Sequence, residues 1–303
     1  MDHLPYGFYR ELASNLENDD ITKLRSILSV FDSIQPAILN ERRMLYVTIF
    51  YSDAQNAICA SFAQTDTEYS LSEILEEKSL IFFLHDVEIA RETCPRYLKH
   101  HRIEEKDFPT LVSFLASLRT CEATLKFKNR LPNFYLWVPF LEAFKNHVFE
   151  KIELRYHPHP ACVDFLLSQL GKQLRYLKLH GNWPSSLAAK INQFVDLAWN
   201  NPVFKIGELR LYKTDLRFSF KTFETIMERR ERRDKSQYIG AKLNATYMEM
   251  FDYFEGLGEE VHVEEEDEGE LKVFAEQAVI TVVESKNGKY VELGFTCKVT
   301  SAM

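Results

Sequence analysis

Leu174-Arg175-Tyr176-Leu177-Lys178-Leu179-His180-Gly181-Asn182 fits the spacing L-x-x-L-x-L-x-x-N at every position. Phe149-x-x-Ile152-x-Leu154 and Ile206-x-x-Leu209-x-Leu211 repeat its apolar positions on either side, and Leu125-x-Phe127 is a shorter fourth copy. Self-similarity at a period of roughly 20–50 residues marks solenoid architectures, in which each unit buries its apolar face only against its neighbours. The core positions Leu125, Ile152, Leu177 and Leu209 lie 27, 25 and 32 residues apart, room for one strand, one turn and one helix each. Helical patterns at 107–119, 134–147, 159–170, 185–199 and 218–233 alternate with these strands. Right-handed crossovers would collect the strands into one parallel sheet with helices on its other side. Unequal repeat lengths make the array irregular.

Moving outward, the first forty residues are expected to be helical. Leu4-Pro5 opens a pattern in which Phe8, Leu12 and Leu16 share one face, and Asn18-Asp19-Asp20 supplies cap candidates. A second helix with Leu24, Ile27, Leu28, Phe31 and Ile34 then runs to Pro36. MLYVTIFYS and AICASFA, separated by Asp53-Ala54-Gln55-Asn56, read as a β-hairpin, and SLIFFLHDVEI as a strand. Ser70-Leu71-Ser72-Glu73 has the form of a capping box. Residues 238–254 are expected to be helical and the acidic run Glu264–Glu270 a loop. A terminal hairpin should turn at Asn287-Gly288, the pair favoured in type I′ turns. The fold class is therefore mixed α/β, with a helical segment at 1–40 and a small α+β region at 41–100. A repeat array at 101–235 and a helix, acidic loop and hairpin at 236–303 complete it.

The formal net charge of -8 argues against a chain that wraps nucleic acid, since phosphate neutralisation needs a positive field. Five scattered cysteines without a C-x-x-C pair read as reduced thiols. With no apolar run of membrane-spanning length and no basic flank before an apolar N-terminal stretch, the expected location is cytoplasmic or nuclear, away from membranes. No phosphate loop, dinucleotide fingerprint, zinc-protease motif or nucleophile elbow occurs, so neither a cofactor nor a metal is expected and the chain reads as non-enzymatic.

His157-Pro158-His159-Pro160 with Cys162 is the densest group of nucleophile or ligand candidates. It lacks an orienting acid or further ligands, and its prolines punctuate a loop and a helix start, leaving the histidines at the surface. His85 and Asp86, as strand neighbours, should point to opposite faces. The cluster Glu228–Lys235 is accounted for by the i,i+4 pairs Glu228 with Arg232 and Glu231 with Lys235. The alternates of the repeat core, Glu153, Arg155, Lys178, His180, Arg210 and Tyr212, form the candidate target-binding set. Glu153, Lys178 and Arg210 are expected to face solvent, and their mixed charge suits a protein surface.

The Met-Asp-x-Leu-Pro start, the apolar skeleton of the first two helices, the hairpin near residue 45 and the strand-helix array with Phe194–Leu211 together are carried by most of the chain. This combination resembles the large nematode families of F-box-like proteins with associated C-terminal repeats. The resemblance implies a substrate-recruiting subunit of a cullin-RING ubiquitin ligase, engaging a Skp1-type adaptor through its N-terminal motif and a protein target through its repeats. On it, Leu4, Pro5, Phe8, Leu12, Leu16, Leu24 and Phe31 are the adaptor-binding or packing set. The chain departs from a full F-box in that Glu41-Arg42-Arg43 runs straight into the first strand, with the third helix short or missing.

Overall fold

A computed structural model describes residues 42–52, 56–64, 67–76, 81–91, 100–127, 134–200, 208–230, 238–244, 247–256, 261–266, 270–275, 279–284 and 291–296. The chain forms two compact units, residues 1–147 and 148–303, and each is mixed α/β. The adaptor set Leu4, Pro5, Phe8, Leu12, Leu16, Leu24 and Phe31 lies outside the described residues.

In the first unit, β1 (Arg42–Ser52) pairs parallel with β4 (Ile81–Arg91), and β4 pairs parallel with β6 (Arg119–Phe127). On the other side of β1, β2 (Ala57–Gln64) runs antiparallel and itself pairs with β3 (Thr67–Tyr69) and β5 (His101–Ile103). His101 begins the short strand β5. Alternation sets the strand faces: Leu45, Val47 and Ile49 are buried, whereas Tyr46 is exposed between two of them. The helix α1 (Leu71–Glu76) opens on a reciprocal cap in which Ser70 N–H donates to Glu73 Oε2 at 2.6 Å and Glu73 N–H to Ser70 Oγ at 3.2 Å.

Two further helices, α2 (Phe108–Ser117) and α3 (Phe134–Ala143), cover β6 with aromatic side chains. Trp137 meets Phe108 and Phe127 edge-on at 5.4 and 6.5 Å, and Phe140 stacks on Phe144 at 4.3 Å. At His85 the ladder slips on both sides, Leu84 pairing with Leu45 and Thr120 and Asp86 with Tyr46 and Thr124. Strict alternation fails at this bulge, which corrects the expectation that His85 and Asp86 take opposite faces. The His85 ring packs edge-on against Tyr46 at 5.1 Å, and Asp86 accepts from Lys126 Nζ at 2.6 Å.

In the second unit β7 (Lys151–Arg155), β8 (Tyr176–His180), β9 (Glu208–Lys213) and β11 (Tyr238–Asn244) lie side by side, all parallel. Neighbours in sequence are neighbours in the sheet, as a stacked array requires. The strands β14 (Val279–Glu284) and β15 (Val291–Thr296) extend it antiparallel from β11, and β10 (Arg217–Ser219) pairs with the end of β11. The expected turn at Asn287-Gly288 lies outside the described residues.

Helices follow the parallel strands. They are α4 (Pro160–Leu170), α5 (Ala188–Asn200) after a 3-10 turn at Ser185–Leu187, and α6 (Phe220–Arg230), with α7 (Tyr247–Gly256) later in the chain. Phe165 packs on Phe149 with centroids 6.2 Å apart, and Tyr253 holds α7 to α6 through Phe220 and Phe223. Residues 238–244, read as helix, are strand β11. Their period-two pattern, Ile239, Ala241 and Leu243, was masked by the helical pattern that begins at Tyr247. The acidic run is not wholly a loop either. β12 (Val261–Glu266) pairs antiparallel with β13 (Glu270–Ala275), and Glu264 opposes Lys272.

Candidate interaction face

The register of β7, β8 and β9 sets three rows across the sheet: Lys151, Tyr176 and Glu208, then Glu153, Lys178 and Arg210, then Arg155, His180 and Lys213. A slip between Lys178 and His180 leaves Tyr212 without a counterpart on β8. The intervening residues Ile152, Leu154, Leu177, Leu179, Leu209 and Leu211 are all buried. Period-two alternation thus gives the second unit one apolar face and one polar, partly exposed face.

The structure brings Glu153, Lys178 and His180 into direct contact. Glu153 Oε1 accepts from Lys178 Nζ at 2.9 Å and lies 3.0 Å from His180 Nε2. Arg210 does not join them and pairs with Glu208 on its own strand. The expected solvent-facing role is only partly met. The Glu153 and Lys178 side chains are 14% and 20% exposed, and His180 at 7% is buried. Arg155 is half-buried beside His180, and the Tyr212 side chain lies outside the described residues. Glu208 is the member that sequence reasoning passed over, although its alternation with Leu209 and Arg210 places it on this face.

Burial pushes the His180 imidazole below its usual 6.5, against the pull of the Glu153 carboxylate and with help from the Lys178 and Arg155 charges. Burial also raises Glu153, but hydrogen bonds from Lys178 and His180 outweigh it and hold the carboxyl below its usual range. At neutral pH the imidazole is therefore a neutral donor, and Lys178 supplies the charge. The unfolded chain takes up the His180 proton first as pH falls, so this stabilisation is complete above 6.5 and declines as pH drops toward the folded value. A second decline, from Glu153, begins below 4.5. The melting temperature should fall between about pH 7.5 and about pH 5.5, and His180→Gln should flatten that slope. An equal slope in the variant would remove His180 from the linkage.

Side chains beyond the strands tie down carbonyls at or near their ends. Trp183 Nε1 donates to His180 O at 3.0 Å, Thr214 Oγ1 to Leu211 O at 2.7 Å, and the Cys162 thiol makes a weak contact with Arg155 O at 3.9 Å. In the quoted motif Asn182 is exposed, and Trp183 just beyond it turns inward. The preceding Gly181 permits this turn with φ +85, and a Cβ there would sit 3.5 Å from Tyr156 Cβ.

This contact defines Cys162 as structural. It is buried, and burial pushes its thiol up to about 11, the opposite of what a nucleophile needs. His159 caps α4, its Nδ1 accepting from Ala161 N–H at 3.1 Å with Pro160 following, whereas His157 is buried and not a surface residue as expected. Iodoacetamide at neutral pH should label Cys162 only after denaturation, as followed by mass spectrometry. Fast labelling of the folded chain would instead mark Cys162 as a reactive nucleophile. Among the described residues no group of three or more His, Cys, Asp or Glu is placed to hold a metal ion, and no helix is long and apolar enough to cross a membrane. Compared with protein-family models, curated proteins and solved structures, the chain gives no match.

Proposed function

We propose that the chain is a non-catalytic protein-protein interaction module that holds a protein target on the polar face of β7, β8 and β9. The supporting observation is the in-register row Glu153, Lys178 and Arg210, displayed by adjacent parallel strands over a wholly apolar core. A rigid sheet presents such groups at fixed spacing, as recognition of a folded partner requires. On the resemblance to F-box-like proteins with leucine-rich-repeat-like arrays, residues 1–40 engage a Skp1-type adaptor. The module then recruits its target for ubiquitination.

One observation favours a second reading, a scaffold without a ubiquitin-ligase link. Strand β1 already begins at Arg42, which on the two-helix reading of residues 1–40 leaves too little chain for the third helix of a full F-box. The target face is tested with full-length Lys178→Ala/Arg210→Ala, immobilised beside the parent chain and exposed to cell extract, with retained proteins quantified by mass spectrometry. Selective loss of proteins that the parent retains is the expected result. An identical retained set would move the binding surface elsewhere.

A further inference from the structure

His180, the last residue of β8, is buried although it belongs to the polar rows of the sheet. A carboxylate only accepts, so the Nε2 that lies 3.0 Å from Glu153 Oε1 carries the proton of the neutral imidazole, and Nδ1 carries the lone pair. Nδ1 is shielded from water and meets no hydrogen-bond partner among the described residues. A neutral lone pair is tolerated there at modest cost, whereas protonation turns Nδ1 into a charged N–H with no acceptor. The neighbouring charges add to that cost. Glu153 and Arg155 come from β7, Arg155 in register with His180, and Lys178 of β8 already donates to Glu153 Oε1 at 2.9 Å. On β9 the residue in register is Lys213. Thus one carboxylate stands among three basic residues before His180 takes up a proton. Tyr156 and Trp183, from the segments that follow β7 and β8, bind the His180 carbonyl, through a backbone N–H at 2.8 Å and the indole N–H at 3.0 Å.

Resting for its last step on the interaction-module reading above, we propose that His180 is a proton-driven latch on this face. The neutral imidazole stays buried against Glu153; the protonated one swings out to water, loosens Glu153 and Lys178 and releases the bound protein. The swing needs no unfolding, because both hydrogen bonds at the end of β8 go to the backbone carbonyl and not to the ring. Acid selects the swung state by linkage. An imidazole in water takes up its proton at about 6.5 and the buried one only at lower pH, so each pH unit between the two values moves the balance outward by up to about tenfold. The effect on a target follows from preorganisation: Glu153 Oε1 loses one of its two donors, and Lys178 loses its fixed place in the central row.

The test is modification of the full chain by diethyl pyrocarbonate, read at each histidine by mass spectrometry. The reagent attacks neutral, accessible imidazoles, so dividing the rate at His180 by that at exposed His100 cancels the ordinary effect of protonation. The ratio should rise roughly threefold or more from about pH 7.5 to about pH 5.5 while far-UV circular dichroism stays unchanged. In a second arm, the immobilised parent chain is loaded from cell extract, and the proteins that Lys178→Ala/Arg210→Ala fails to retain are followed. A wash at about pH 5.5 should shed them from the parent. His180→Gln keeps a donor for Glu153 but takes up no proton, and should hold them through the same wash; His180→Asn replaces it if the glutamine variant does not fold. A labelling ratio that stays constant with pH would overturn the latch. Equal shedding from the parent and from His180→Gln would overturn its control of the face. If no retained protein depends on Lys178 and Arg210, the interaction reading fails, while a rising ratio still upholds the latch itself.

Discussion

Phe165→Ala is expected to destabilise the second unit by about 3–5 kcal/mol, a large part of what a domain of ordinary stability possesses. Phe165 is fully buried on α4 and meets Phe149, two residues before β7, so it fastens helix to strand. Its removal takes away the transfer free energy of the ring and leaves a cavity that the surrounding core can close only by shifting. Phe165→Leu should recover more than half of the loss, because most of the volume returns. Urea unfolding followed by far-UV circular dichroism measures both. A loss below about 1 kcal/mol for the alanine variant would mean that this contact contributes little to the packing.

Trp183→Ala should be comparably severe, about 3–5 kcal/mol, whereas Trp183→Phe should cost about 1–3 kcal/mol. The two substitutions separate packing from hydrogen bonding. The indole is 2% exposed, lies 5.1 Å from the Tyr156 ring, and its N–H is bound to His180 O. Phenylalanine keeps most of the apolar volume but leaves that carbonyl without the indole N–H. Because His180 also contacts Glu153, loosening the end of β8 should alter the pH dependence of stability in the same variant. Thermal melts across the imidazole range will show this; unchanged pH dependence in Trp183→Phe would uncouple the strand end from the ionic cluster.

How much of this was legible in the sequence varied with the strength of local periodicity. The strands around Ile152, Leu177 and Leu209 and the helices between them followed from apolar spacing, because each strand had to bury alternate residues against a helix. The parallel order of β7, β8 and β9 followed from the same repeats. Residues 238–244 did not, since a short alternating run abutting a helical pattern is decided by the neighbouring strands β9 and β15 rather than locally. The bulge at His85 left no mark in composition.

For the candidate face, alternation identified Glu153, Lys178 and Arg210 as sharing one side, yet not that Glu153 would gather Lys178 and His180 while Arg210 turned to Glu208. Those choices depend on cross-strand register, which single-strand patterns do not encode. The inward turn of Trp183 was likewise not legible, because it follows from the left-handed backbone at Gly181.

The adaptor connection is tested most directly by co-purifying the full chain with a Skp1-type adaptor, beside full-length Phe8→Asp and Leu12→Asp and a chain beginning at Glu41. Binding by the parent that is lost in all three, with circular dichroism showing each still folded, is the expected result. A folded parent chain that ignores the adaptor, or variants that bind it as well as the parent, would contradict the ubiquitin-ligase reading and leave a plain interaction scaffold.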